Sequence, residues 1–154
     1  MSVSFTDEQT KQIDGAALVS LAERVLVHES YPGMTELSIT AVTDEAIAEL
    51  KAAHLGERAV TDVLSFPIDD LVPGHLPTVD QNGPPLLLGD VVIAPGYIAR
   101  QAAEYEISET DELALMVVHG VLHLMGWDHV TDSDAEAMEE RERQILALVG
   151  VERR

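Results

Sequence analysis

Near the end of the chain, His119, His123 and His129 fall within one stretch, HGVLHLMGWDH. Residues four apart on a helix project from one face about a turn from each other. The first two imidazoles can therefore reach one ion at ~2.0–2.1 Å. Gly126 follows, a residue able to take positive φ, stop the helix and reverse the chain. Trp127 and Asp128 then return His129 toward the first pair. The pattern H-x3-H-x2-G-x2-H thus reads as a helix, a turn and a third ligand, and it predicts a metal centre. Three protein ligands leave a coordination position open, as a catalytic rather than a structural ion requires. Zinc suits three imidazoles, and so do nickel, copper and iron. Asp128, beside the third histidine, is a candidate for orienting an imidazole or positioning a water.

In zinc proteases of the HExxH kind, the glutamate after the first histidine is the general base. Here that position is Gly120, which counts against proteolysis. An ion that lowers the pKa of a coordinated water to about 7 needs less help from a base. Trp127 reads as a packing residue. His54 and His75 lie far off in sequence without ligand spacing and read as bystanders.

The elements that must position this group can be traced from hydrophobic period and turn residues. VSF (3–5) is a short strand, and Asp14 precedes a helix carrying Leu18, Leu21, Val25 and Leu26 at helical spacing. The Tyr31-Pro32-Gly33 turn ends it. ELSITAV (36–42) is a β-branched strand, and Thr43 caps the helix DEAIAELKAAHL. TDVLSFP (61–67) is a strand stopped by its proline, followed from Ile68 to Pro85 by a long loop without periodicity. PLLLGDVVIA (85–94) returns as a strand with Gly89 as a bulge, and Pro95 opens a helix to about Tyr105. Ser108 to Asp111 resembles a capping box for the histidine-bearing helix, and a last helix runs from about Ser133 to Val149. The order β-α-β-α-β-β-α-α-α predicts one α+β domain over residues 1–154. Its core is a small mixed sheet of about four strands covered by helices, with a zincin-like metal helix.

Hydrophobic residues at 46% and charged residues at 24% fit a globular chain rather than a disordered one. No apolar run reaches the ~18 residues of a membrane span, and the first residues lack the basic and apolar regions of a secretory signal. With no cysteine, any metal falls to His, Asp or Glu. A cytoplasmic protein is expected. Nine Lys and Arg against 28 Asp and Glu give a net charge of −19. By itself that argues against a nucleic-acid partner, since phosphate binding rests on cationic contacts.

The stretches TDVLSFP (61–67), LLGDVVIAP (87–95) and above all HGVLHLMGWDH (119–129) resemble the YbeY family of bacterial rRNA maturation factors, which are metal-dependent endoribonucleases. The order and spacing of elements extend the resemblance over nearly the whole chain. It implies an α+β fold and one zinc ion held by His119, His123 and His129. It also implies single-strand-specific RNA cleavage in maturing the 3′ end of small-subunit (16S) rRNA and in ribosome quality control. Ser65, Phe66 and Pro67 fall on the strand that lies near the metal cleft in the family. Single-stranded rRNA and the small ribosomal subunit with its basic proteins are the implied partners, with a ribosome-associated GTPase as a further candidate. Many members carry an arginine six residues before the Thr of this strand motif; here the position is Leu55, and Arg58 is the candidate replacement.

Three functions are consistent with these residues. A metal-dependent RNA hydrolase would use the ion on a phosphoryl oxygen or on water, with the nucleophile either that water or the RNA 2′-OH. A metallopeptidase would share the histidine spacing but lack a base at Gly120. A non-catalytic ribosome-assembly factor would keep the metal and use its acidic surface to attract basic proteins.

Overall fold

A computed structural model describes residues 2–154. The chain runs through β1 (Ser2–Asp7), α1 (Gly15–His28), β2 (Thr35–Ala41), α2 (Asp44–Leu55), β3 (Val63–Pro67), β4 (Leu86–Ile93), α3 (Pro95–Glu104), α4 (Glu109–Leu124) and α5 (Asp132–Ala147). That is the order expected from the sequence. β1 extends beyond the three residues foreseen, because it pairs along its whole length with β2. α5 begins a residue early, where the Thr131 hydroxyl accepts from the Asp134 N–H and caps it.

The four strands form one mixed sheet in the order β1-β2-β4-β3. β1, β2 and β4 are parallel, and β3 lies antiparallel to β4 at the edge. Parallel neighbours need a crossover, and α1 supplies it between β1 and β2. The main core joins Leu37, Ile39, Val91 and Ile93 of the sheet to apolar residues of α1, α4 and α5. On the other face a smaller cluster packs Ile47 of α2 against Leu64 and Val92.

β4 shows how the local sequence sets register. Leu86 and Leu88 face the main core, and so do Val91 and Ile93. A strict period of two cannot put both even and odd positions on one face, so one residue must be extra. The register shifts opposite Glu36 and Leu37, where Leu87 and Gly89 are the successive partners and Leu88 has none. Gly89 sits at φ +138, and a Cβ there would overlap the carbonyl oxygen of Phe66 on β3. The expected bulge is present, and only glycine fits it.

α4 packs on β3 and β4 and is covered by α1, α3 and α5. Eleven of its 16 residues are buried, far more than a one-sided stripe would give. No helix among the described residues is long and apolar enough to cross a membrane.

Gly89→Ala is expected to lower unfolding free energy by at least about 2 kcal/mol, since positive φ and overlap with backbone both oppose a methyl group. Urea unfolding would check this; a variant as stable as the parent would contradict the bulge geometry.

Candidate metal centre

α4 ends where Gly126 takes φ +94. The Gly126 N–H donates to the His123 carbonyl at 3.1 Å, and the Trp127 N–H to the Leu122 carbonyl at 3.1 Å. These paired bonds reverse the chain as a Schellman turn does. Gly126 is required twice over, because a Cβ would also overlap the Leu71 carbonyl in the long loop. The reversal returns His129 to the helix, and the facing nitrogens of His119, His123 and His129 all lie within 4.8 Å of one another.

The other ring nitrogens decide what this group can hold. His123 Nδ1 lies 2.7 Å from the Trp127 carbonyl oxygen, which only accepts, so Nδ1 carries the proton. His119 Nδ1 lies 2.6 Å from Glu142 Oε2 on α5 and donates to that carboxylate. The two Nε2 atoms then face each other 2.9 Å apart. Two imidazole nitrogens at that separation need a cation between them, either a proton or a metal ion shared by both. The donor set, its spacing and its tautomers all fit a divalent ion, so the three histidines can hold one.

The charges agree. Burial, then the neighbouring His119 ring, holds His123 below the ordinary histidine value despite the opposing Trp127 carbonyl. It is therefore neutral at neutral pH, as a ligand must be. Burial would raise the Glu142 carboxyl, but the hydrogen bond and charge of His119, then those of Arg153, outweigh it and hold it below its ordinary value.

Glu142 was not foreseen as part of this group. Asp128, the candidate for orienting an imidazole or positioning a water, accepts the His129 backbone N–H at 2.7 Å and lines the cleft beside His123. The orienting carboxylate comes from α5, 23 residues beyond His119. A glutamate at i+3 from Glu139 in a charged helix carries no signal of burial, yet Glu142 is 1% exposed.

Gly120 answers a different need from catalysis. A Cβ there would lie 2.7 Å from Val91 Cγ1 and 3.1 Å from Val63 Cγ2, so α4 rests on the sheet at this point. The Ser65 hydroxyl donates to the Gly120 carbonyl at 2.8 Å and ties β3 to the same turn. No carboxylate can occupy the protease position without lifting the helix.

Beside the histidines runs a cleft of about 740 Å³, lined by β3, His54, Leu55, His123 and Asp128. Ser65, Phe66 and Pro67 border it, the position beside the metal cleft that the resemblance implies for their strand. His54 does as well, against its reading as a bystander: its ring lies 4.8 Å from that of Phe66. Its place follows from the end of α2 abutting β3, which sequence spacing does not reveal. Arg58 does not join the cleft; it is exposed and faces Glu49 of α2 at 4.0 Å. Trp127 packs on the core, and its Nε1–H donates to Glu29 at 3.1 Å.

Fold and site together define a single-sheet α+β protein with a three-histidine group able to hold a metal at the edge of an open cleft. The family described as Endoribonuclease YbeY matches residues 4–150. An Endoribonuclease YbeY of Moorella thermoacetica is 41% identical, over 99% of this chain and 100% of that one. Another, of Acidothermus cellulolyticus, is 40% identical over 96% of this chain and 87% of its own length. The chain belongs to the YbeY family. Its fold is also that of TM1509 from Thermotoga maritima, whose solution structure aligns with a TM-score of 0.58 at 22% identity, over 95% of this chain and 91% of that one.

Because folded His123 resists a proton that the unfolded chain accepts, its contribution to stability is complete above 6.5 and is lost as pH falls below that value. Urea unfolding of metal-free protein between pH 8 and pH 5 should therefore show a steeper loss on acidification than in His123→Asn. Equal slopes would contradict the burial and charge assigned to this ring.

Proposed function

We propose that this protein is a zinc-dependent endoribonuclease that cuts single-stranded rRNA, acting in the maturation of the small-subunit rRNA 3′ end. Membership of a family described as endoribonucleases supports the reaction class. The observation that carries the reading is the opposed pair of Nε2 atoms at 2.9 Å, beside an open cleft of about 740 Å³. A divalent ion held by His119, His123 and His129 supplies Lewis acidity toward a phosphoryl oxygen or toward water.

The chain's own residues do the rest. Trp127 and Glu142 accept from the Nδ1 atoms of His123 and His119 and turn both Nε2 atoms toward the triad. Asp128, at the cleft wall near His123, is the candidate for holding a water or a 2′-OH in line. Phe66 and His54 offer ring faces on which an unpaired base can stack, at about 1–3 kcal/mol per base. A duplex keeps its bases stacked on each other, so such a wall favours single strands. With position 120 closed to a carboxylate, nothing observed favours peptide hydrolysis. Nickel, copper or iron would fit the imidazoles too, and the small ribosomal subunit, its basic proteins and a GTPase bound to it complete the proposed setting.

Purified protein with zinc is expected to cut single-stranded RNA, with His123→Ala slower by at least ~100-fold, the scale of a lost acid–base or metal contribution. Full activity in the folded variant would end the reading. A substrate with one 2′-deoxy sugar at the scissile site identifies the nucleophile, since unchanged cleavage excludes the internal hydroxyl.

Binding should also depend weakly on salt. Of the nine Lys and Arg, eight lie within 4.0 Å of a carboxylate. Few phosphates can be met by free cations, so log K against log salt is expected to slope no more steeply than about −1.5, some two phosphate contacts on a single strand. A much steeper slope, measured by fluorescence anisotropy, would reveal a cationic surface where none is expected.

A further inference from the structure

The segment after α5 reaches back to the metal centre. Gly150 takes φ +74, its N–H donates to the Ala147 carbonyl at 3.2 Å, and the Val151 N–H donates to the Leu146 carbonyl at 3.0 Å. This is the same reversal that ends α4, used a second time. It lays Val151 on the core and carries two arginines along the flank of α4 and α5.

Each arginine meets a buried carboxylate. Arg154 Nε lies 2.8 and 3.0 Å from the two oxygens of Glu112, on α4 and 0% exposed, and its guanidinium covers the Tyr105 ring at 3.8 Å. Arg153 Nε donates to Glu142 Oε1 at 2.8 Å. Arg153 also reaches Glu139 at 3.6 Å and donates to the Arg154 carbonyl at 2.8 Å. Glu142 is thus shared between two partners, with Oε1 facing Arg153 and Oε2 facing His119 Nδ1.

We propose that Arg153 is a positioning residue for the metal centre, acting through Glu142 to fix the ring orientation and tautomer of His119. A carboxylate buried with one partner can rotate about its terminal torsion and present either oxygen. With Oε1 anchored by the Arg153 Nε–H, Oε2 has one direction left, and it points at His119. The Nδ1 proton then stays on the outer side of the ring and Nε2 faces its neighbours. Arg154, fastened to Glu112, holds the segment in place so that Arg153 can do this. The metal affinity of a ligand on α4 is therefore set partly by residues more than 30 positions downstream.

This inference rests on the metal-binding part of the proposed function, and its test uses no RNA. Zinc affinity is measured by chelator competition on the full chain. In parallel, ring 15N shifts of the metal-free protein report the His119 tautomer, with His123 as internal reference. In Arg153→Gln, zinc affinity is expected to fall about 10–100-fold, the range for lost partners of a ligand. His119 should show mixed tautomers while His123, held by the Trp127 carbonyl, keeps its own. Affinity within twofold of the parent, or equal disturbance of both rings, would overturn the assignment. Should Arg153→Gln not fold, Arg153→Met keeps the packing of the stem and carries the same expectation and the same refuting result. Failure of zinc to bind the parent protein would instead count against the proposed function.

Discussion

The close approach of α4 to the sheet at Gly120 is the constraint from which the site follows. With Val91 and Val63 already at van der Waals distance, the helix axis cannot move outward without opening the core or inward without a clash. His119 and His123 flank that contact point on the helix, so their positions are as fixed as the core itself. The bond from Ser65 to the Gly120 carbonyl adds β3 to the same arrangement, and the cleft wall and the imidazoles become one rigid unit. Precision of this kind is easier on packed elements than on loops.

Rigidity brings an electrostatic difficulty that the surrounding groups resolve. Two imidazole nitrogens facing each other at 2.9 Å need a cation between them, and the Trp127 carbonyl and Glu142 hold the rings in that position. Neither acceptor lies within the ligand triad, and one is backbone. The turn that delivers His129 thus also fixes His123, since the Trp127 carbonyl is part of that reversal. Geometry and proton placement come from the same few residues.

Much of this was legible in the sequence, for physical reasons. Residues four apart on a helix followed by a glycine specify a ligand pair and a reversal, because helix pitch and positive φ leave little choice. The Leu-Leu-Leu-Gly run of β4 announces its bulge, since an even-to-odd switch of apolar positions needs an extra residue. What stayed hidden are contacts between elements far apart in the chain. Glu142 lies in a helix so rich in charge that its burial has no local mark, and His54 reaches the cleft only because α2 ends against β3. Arg58 looked a fit replacement for a cation at Leu55, but a three-residue offset turned it toward Glu49.

A net charge of −19 and an RNA substrate look incompatible until distance is considered. At physiological salt the Debye length is about 8 Å, so exposed carboxylates on remote helices act feebly at the cleft. What matters there is local charge. Glu142 has its charge offset by Arg153, and burial keeps the His123 ring neutral. Asp128 is then the one carboxylate on the cleft wall. A divalent ion held by the triad would set a positive centre beside the cleft, although the protein as a whole repels polyanions. Attraction confined to one point, with stacking faces beside it, favours strands that can thread to the ion over those that bind by charge alone. Duplex RNA, whose phosphates are spread over a stiff surface, would gain little from a single positive centre.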